Sequence, residues 1–215
     1  MRSSEILKLS CIDDWNDATK HSFCAELASG TLPNDKMRLY LAQDYTFIDN
    51  FIRLAGCAIH HAPSLSDRLP LAQFLGVISG PENTYFQRSF EALDVIEKDR
   101  IKPDLLPSTY AFQSLMLEAA DSGCYGSMIA VLCAAEWSYL SWAEPFAPAP
   151  AALPFYYGEW ITLHSGCYFE SVVEHLRIQL DNAYDKSDSD QKNSISGYFR
   201  NAVLLEKEFF DATYR

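Results

Sequence analysis

Met128-Ile129-Ala130-Val131-Leu132-Cys133-Ala134-Ala135-Glu136-Trp137-Ser138-Tyr139-Leu140 holds a single charge, and Glu136 is the only charged side chain between Asp121 and Glu144. A helix so apolar on every side is buried nearly all round, at the centre of other helices. The one carboxylate in it has few routes to solvent. It needs either a pKa raised by desolvation or a fixed polar partner, which is the profile of a functional group.

Helical periodicity continues outward from this run in both directions, with no internal repeat and no strand-like alternation between Gly turns. The spacing predicts an all-α, single-domain chain over 1–215. Helices are expected at about 12–29, 34–61, 67–78, 82–98, 107–122, 125–145, 155–182 (broken near Ser165-Gly166) and 189–213. Gly30 suits a left-handed cap, and Pro33-Asn34-Asp35 sets an acid near the positive end of the next helix. Pro63 closes that helix, and Ser122-Gly123 separates the two that follow 107. Pro145, Pro148, Pro150 and Pro154 make a stiff connector, because proline cannot propagate a helix.

Two more acids stand where leucines belong. Met37, Tyr40, Leu41, Phe47, Ile48, Phe51 and Ala55 share one side of the 34–61 helix, and Asp44 falls in the middle of that stripe. Ile195, Phe199, Ala202, Phe209 and Thr213 mark the inward side of the last helix, with Glu206 in the step between Ala202 and Phe209. A core-facing acid loses hydration, at a cost of several kcal/mol unless it is paired, protonated or turned to a polar cavity. Each acid alone is equally compatible with a structural hydrogen bond or a rim position. Together, Asp44, Glu136 and Glu206 favour one shared central pocket in a bundle. Glu82 reads as a solvated or capping acid, and His21 as a ring packed near Trp15.

Charged residues at 21% and hydrophobic ones at 48% suit a folded globule and exclude an intrinsically disordered chain. A net charge of −12, with 17 scattered Lys and Arg, argues against nucleic acid as a partner. Met1 to Ser10 carries no long apolar run, so neither a signal peptide nor a membrane span is expected, and the location implied is cytoplasmic. The six cysteines lack zinc-ligand spacing and read as buried free thiols.

Trp15, His21, Gly30-Thr31-Leu32-Pro33 and Tyr40-Leu41-Ala42-Gln43-Asp44-Tyr45-Thr46-Phe47 resemble the opening of the TenA, or thiaminase II, family. Trp137-Ser138-Tyr139, Glu159-Trp160-Ile161 and Glu206-Lys207-Glu208-Phe209-Phe210-Asp211-Ala212-Thr213-Tyr214 match its later landmarks in order, so the resemblance runs from about residue 15 to the end. It implies the haem-oxygenase-like bundle with one central pocket, a homo-oligomer (tetramer or dimer), and a small-molecule pyrimidine as ligand with no cofactor or metal. Asp44 would grip the amino group and adjoining ring nitrogen. Phe47, Tyr110, Tyr139 and His164 would line the pocket, Phe47 and His164 where the family has tyrosines. Glu206 would be the general acid/base.

Ala135 stands where thiaminase II members carry their nucleophilic cysteine. Cys133 is a poor substitute, since two residues turn it about 200° around the helix. Without a nucleophile, ordinary thiamin cleavage is expected to be lost. Glu136, one step of about 100° from Ala135, reaches the same cavity and matches the cysteine-less branch linked to salvage of damaged pyrimidines. The expected chemistry is hydrolysis of an aminomethyl- or formylaminomethyl-pyrimidine by Glu206 and Glu136. Two rivals stand beside it. A carrier or regulatory protein would keep Asp44 and the aromatic box, and a di-metal carboxylate oxidase would use the acids, although His60, His61 and Glu174-His175 offer no Glu-x-x-His pair.

Overall fold

The apolar run forms the axis of the molecule. In the computed structural model, which describes residues 1–215, every regular element is helical. The α-helices are α1 (Ser3–Leu9), α2 (Ile12–Thr19), α3 (Ser22–Ser29), α4 (Asn34–Tyr45), α5 (Phe47–His61), α6 (Leu65–Val77) and α7 (Asn83–Ala92). They continue with α8 (Glu97–Ile101), α9 (Pro107–Asp121), α10 (Tyr125–Ala143), α11 (Phe155–Leu163), α12 (Gly166–Lys186) and α13 (Ser189–Tyr214). Of α10, only Tyr125, Glu136, Leu140 and Ser141 escape full burial. It packs most extensively on α13 and α12, with α5, α9 and α2 closing the ring around it. Gly126 permits the tightest of these contacts, because a Cβ there would lie 2.6 Å from Cδ1 of Ile195 on α13.

Several expected helices are broken, each for a local reason. The 12–29 segment divides at His21, whose Nδ1 accepts from the Phe23 amide and caps α3. That ring packs on Phe210 and Tyr214, not on Trp15, which meets Trp137 and Phe199 instead. The 34–61 helix divides at Thr46, where Gln113 Nε2 of α9 donates to the freed Thr46 carbonyl at 3.0 Å. The 82–98 helix ends at Ala92, and a π-helical segment, Ile78–Glu82, joins α6 to α7. The N-terminal α1 was not foreseen; Arg2 holds it to α12 through Asp181 and Glu174, both at 2.6 Å. Of the cysteines, Cys11, Cys24 and Cys133 are buried, but Cys167 is exposed. No helix is long and apolar enough to cross a membrane.

Candidate active site

The breaks decide what reaches the centre. Ending α4 at Tyr45 and starting α5 at Phe47 leaves Asp44 and Phe47 at the corner between two helix axes, where both face a cavity beside α10. Ala135, Glu136 and Tyr139 of α10 form one wall, Trp160 and His164 a second, and Glu206 of α13 enters from a third side. The cavity has a volume of about 70 Å³ and is lined mainly by apolar side chains, with Phe47, Phe51, Phe86 and Phe112 among its rings. Asp44, Phe47, Glu136, Tyr139, His164 and Glu206 therefore share one cavity.

Tyr110 does not join them. It is 66% exposed, because α9 turns Thr109, Phe112, Met116 and Ala119 inward, and two residues along a helix is about 200° of rotation. Phe112 takes the inward place and meets Phe47 edge-on at 5.4 Å. The period running through Thr109, Phe112, Met116 and Ala119 was readable in the sequence and outweighs the tyrosine's identity.

Glu82 is the second correction. Instead of a solvated cap, it lines the cavity. Phe74, Ile78, Glu82 and Phe86 all face the space at a strict spacing of four. An α-helix over-rotates by about 40° at each such step, and the wider π turn between Ile78 and Glu82 rotates less per residue and takes up the drift. The expected helices stop at 78 and restart at 82, which puts Glu82 at a helix start where an acid reads as a cap, whereas the chain runs on through the π turn without a gap.

Asp44, Glu82, Glu136 and Glu206 thus share the cavity with no Lys or Arg in its lining. Burial holds the carboxyls of Asp44, Glu136 and Glu206 well above the carboxylate range, and repulsion from neighbouring acids adds to it. Burial alone pushes Glu82 up to about 7.

The hydrogen bonds around Asp44 have a direction. Trp160 Nε1, which can only donate, lies 3.2 Å from the Tyr40 hydroxyl. Tyr40 and Tyr139 share a bond of 2.7 Å, and the Tyr139 hydroxyl donates to Asp44 Oδ1 at 3.4 Å. Burial raises both phenols well above their ordinary value, so both keep their protons. His164 Nδ1 sits 2.9 Å from the Trp160 carbonyl and must donate to it; burial lowers the ring to about 4, so the ring is neutral and Nε2 remains an acceptor. His164 is the only histidine in the lining, whereas His60 and His61 are exposed at the end of α5.

No thiol lines the cavity. Ala135 is at its wall, and Cys133 is fully buried outside the lining, with burial pushing its thiol up and away from the reactive thiolate.

The TENA/THI-4/PQQC family model matches residues 11–215. An aminopyrimidine aminohydrolase from Halalkalibacterium halodurans is 25% identical over 202 residues, 93% of this chain and 90% of that protein. One from Bacillus subtilis is 24% identical and spans 100% of this chain and 91% of that protein. Among solved structures, a TenA homologue from P. horikoshii OT3 superposes with a TM-score of 0.86 at 22% identity, covering 100% of this chain and 99% of that one. A TenA family transcription regulator from Silicibacter sp. TM1040 superposes with a TM-score of 0.85 at 21% identity, covering 98% and 95%.

Proposed function

Because the chain belongs to the TENA/THI-4/PQQC family, we propose that it is a thiamin-pyrimidine salvage hydrolase of the cysteine-less kind, cleaving the exocyclic C–N bond of an aminomethyl- or formylaminomethyl-pyrimidine. The observation that carries this reading is the set of carboxyls from separate helices opening into one aromatic-lined cavity without a thiol. The names of the curated relatives supply the substrate class.

Asp44 presents two oxygens to the N-C-N edge of the ring and passes its acidic proton to the ring nitrogen as the pair forms, so that the two hydrogen bonds become charge-assisted, while Tyr139 steadies one oxygen. Phe47, Phe112 and Trp160 hold the flat faces. Glu206, assisted by Glu136, moves protons between an attacking water and the departing nitrogen. With Ala135 in place of a nucleophile, no covalent adduct forms and thiamin itself is not cleaved. The working form is a cytoplasmic homo-oligomer, tetramer or dimer.

Purified protein incubated with the aminomethyl-pyrimidine, its N-formyl derivative and thiamin tests this by chromatography of the hydroxymethyl product. Release from either of the first two supports it. Rapid thiamin cleavage abolished by Cys133→Ala refutes the reading of Ala135. Ala135 also favours a second reading, a pyrimidine carrier or regulator, which ring binding that survives Glu206→Gln without turnover in the native protein would select.

A further inference from the structure

Resting on that reading of the cavity, we propose that Glu82 is a further catalytic residue, holding the substrate's exocyclic ammonium at the end of the cavity opposite Glu206. Glu82 lines the cavity from the junction of α6 and α7, an element that contributes none of the other acids. Its carboxyl makes no hydrogen bond to a protein group, and nor do those of Glu136 and Glu206. Asp44, by contrast, is engaged by Tyr139.

Each acid in the cavity feels its neighbours. Glu82 pushes up both Asp44 and Glu136, and Glu206 is pushed up by Asp44 and Glu136. α4, which carries Asp44, packs against both α7 and α13, whereas α13 has no comparable contact with α6, α7 or the π turn, so Glu82 and Glu206 approach Asp44 from different sides. A ring held by Asp44 then has one carboxyl beyond each end.

Two separated carboxyls suit the displacement this substrate needs. The water oxygen forms a bond to the methylene carbon as the C–N bond breaks, and the electron pair of that bond leaves on nitrogen. R–CH2–NH3+ and H2O thereby become R–CH2–OH and NH4+, the proton lost by water passing through Glu206 to ammonia. The amine departs only if it is protonated. Glu82, reaching the cavity from the junction of α6 and α7, serves as the carboxylate partner that keeps it so. No lysine or arginine in the lining competes for it.

Calorimetry with two pyrimidines that share a ring and differ only at the exocyclic group, aminomethyl and hydroxymethyl, tests the assignment. The native protein is expected to bind the amine at least about tenfold more tightly than the alcohol, and Glu82→Gln to bring the two within about twofold while leaving alcohol binding intact. Ammonia release by Glu82→Gln should fall at least about a hundredfold. Glu82→Ala, with circular dichroism to verify the fold, provides a second variant giving the same loss. Equal binding of amine and alcohol by the native protein overturns the role of Glu82 while leaving the ring site standing. Failure to bind either ring overturns the ring site as well. A Glu82→Gln protein that keeps both preference and turnover also overturns the role.

Discussion

Tyr40 and Tyr139 share a 2.7 Å hydrogen bond deep in the bundle, and its polarity is set from outside the pair. The Trp160 indole donates to the Tyr40 oxygen at 3.2 Å, so the Tyr40 proton is directed to Tyr139 and the Tyr139 proton to Asp44. The chain of donors ends on the one cavity acid read here as the ring's anchor. Tyr40 itself does not line the cavity.

Tyr40→Phe removes the middle of this chain and leaves the buried Trp160 N–H without its acceptor, a loss of about 1–3 kcal/mol. The fold should survive with a lowered melting temperature, since the ring still packs between Phe23 and Phe209. Tyr139 becomes free to turn its hydroxyl away from Asp44. Pyrimidine affinity should fall by roughly tenfold, a change a packing defect alone would not produce; unchanged affinity by calorimetry would detach Tyr40 from the site.

Asp44→Asn and Glu206→Gln should separate binding from chemistry. Asn at 44 loses charge-assisted acceptance, so ring affinity should drop by about a hundredfold, while Gln at 206 should cost about 10²- to 10⁴-fold in kcat with ring affinity nearly kept. Neither should destabilise the fold, because each replaces a buried, uncompensated acid with a neutral isostere. Equilibrium unfolding beside steady-state kinetics checks both halves. A Glu206→Gln enzyme with native kcat would remove it from the mechanism.

How much of this was legible beforehand depends on whether a residue's phase follows the ordinary helical period. Glu136 and Glu206 lie on long, unbroken helices, and their anomaly among apolar neighbours showed in the sequence alone. Asp44 was legible too, although the break at Thr46 was not, because the partner that satisfies it, Gln113, comes from a helix distant in sequence. Glu82 was hidden because the sequence suggests a break between 78 and 82 and so makes it a helix-start acid, whereas the π turn joins α6 to α7 and keeps it inward. Tyr110 is expected in the pocket only through the family resemblance, whereas the inward period of α9 places it outside.

The acids also predict the pH dependence of the free protein. Asp44, Glu82, Glu136 and Glu206 have folded pKa values raised above their unfolded ones, so the native state binds more protons and stability falls as pH rises above about 4.5. His164, lowered to about 4 from 6.5, acts oppositely, with its contribution complete above 6.5 and lost as pH falls toward 4. The two trends compete below pH 6.5, and above it the acids act without opposition from His164. Urea unfolding at pH 6.5, 7.5 and 8.5 should therefore show stability declining as pH rises, by at most about 1.4 kcal/mol per pH unit for each acid still protonated in the fold. A flat profile would mean that the carboxyls are better solvated than their enclosure implies.

Phe112 and Tyr110 offer a direct comparison of inward and outward positions on one helix. Phe112 is 2% exposed and braces Phe47, which in turn meets Phe209 edge-on at 5.1 Å. Phe112→Ala should cost about 3–5 kcal/mol, since the rings around it are held from several helices and cannot collapse into the space. Tyr110, 66% exposed, should tolerate alanine within about 0.5 kcal/mol. The effect on ligand should follow the same division: Phe112→Leu, which keeps most of the bulk and the fold, loses the flat edge facing the ring and should weaken pyrimidine binding several-fold, while Tyr110→Ala leaves it unchanged. A loss of affinity in Tyr110→Ala at unchanged oligomeric state, measured by calorimetry beside light scattering, would return that residue to the pocket and overturn the assignment of the inward face of α9.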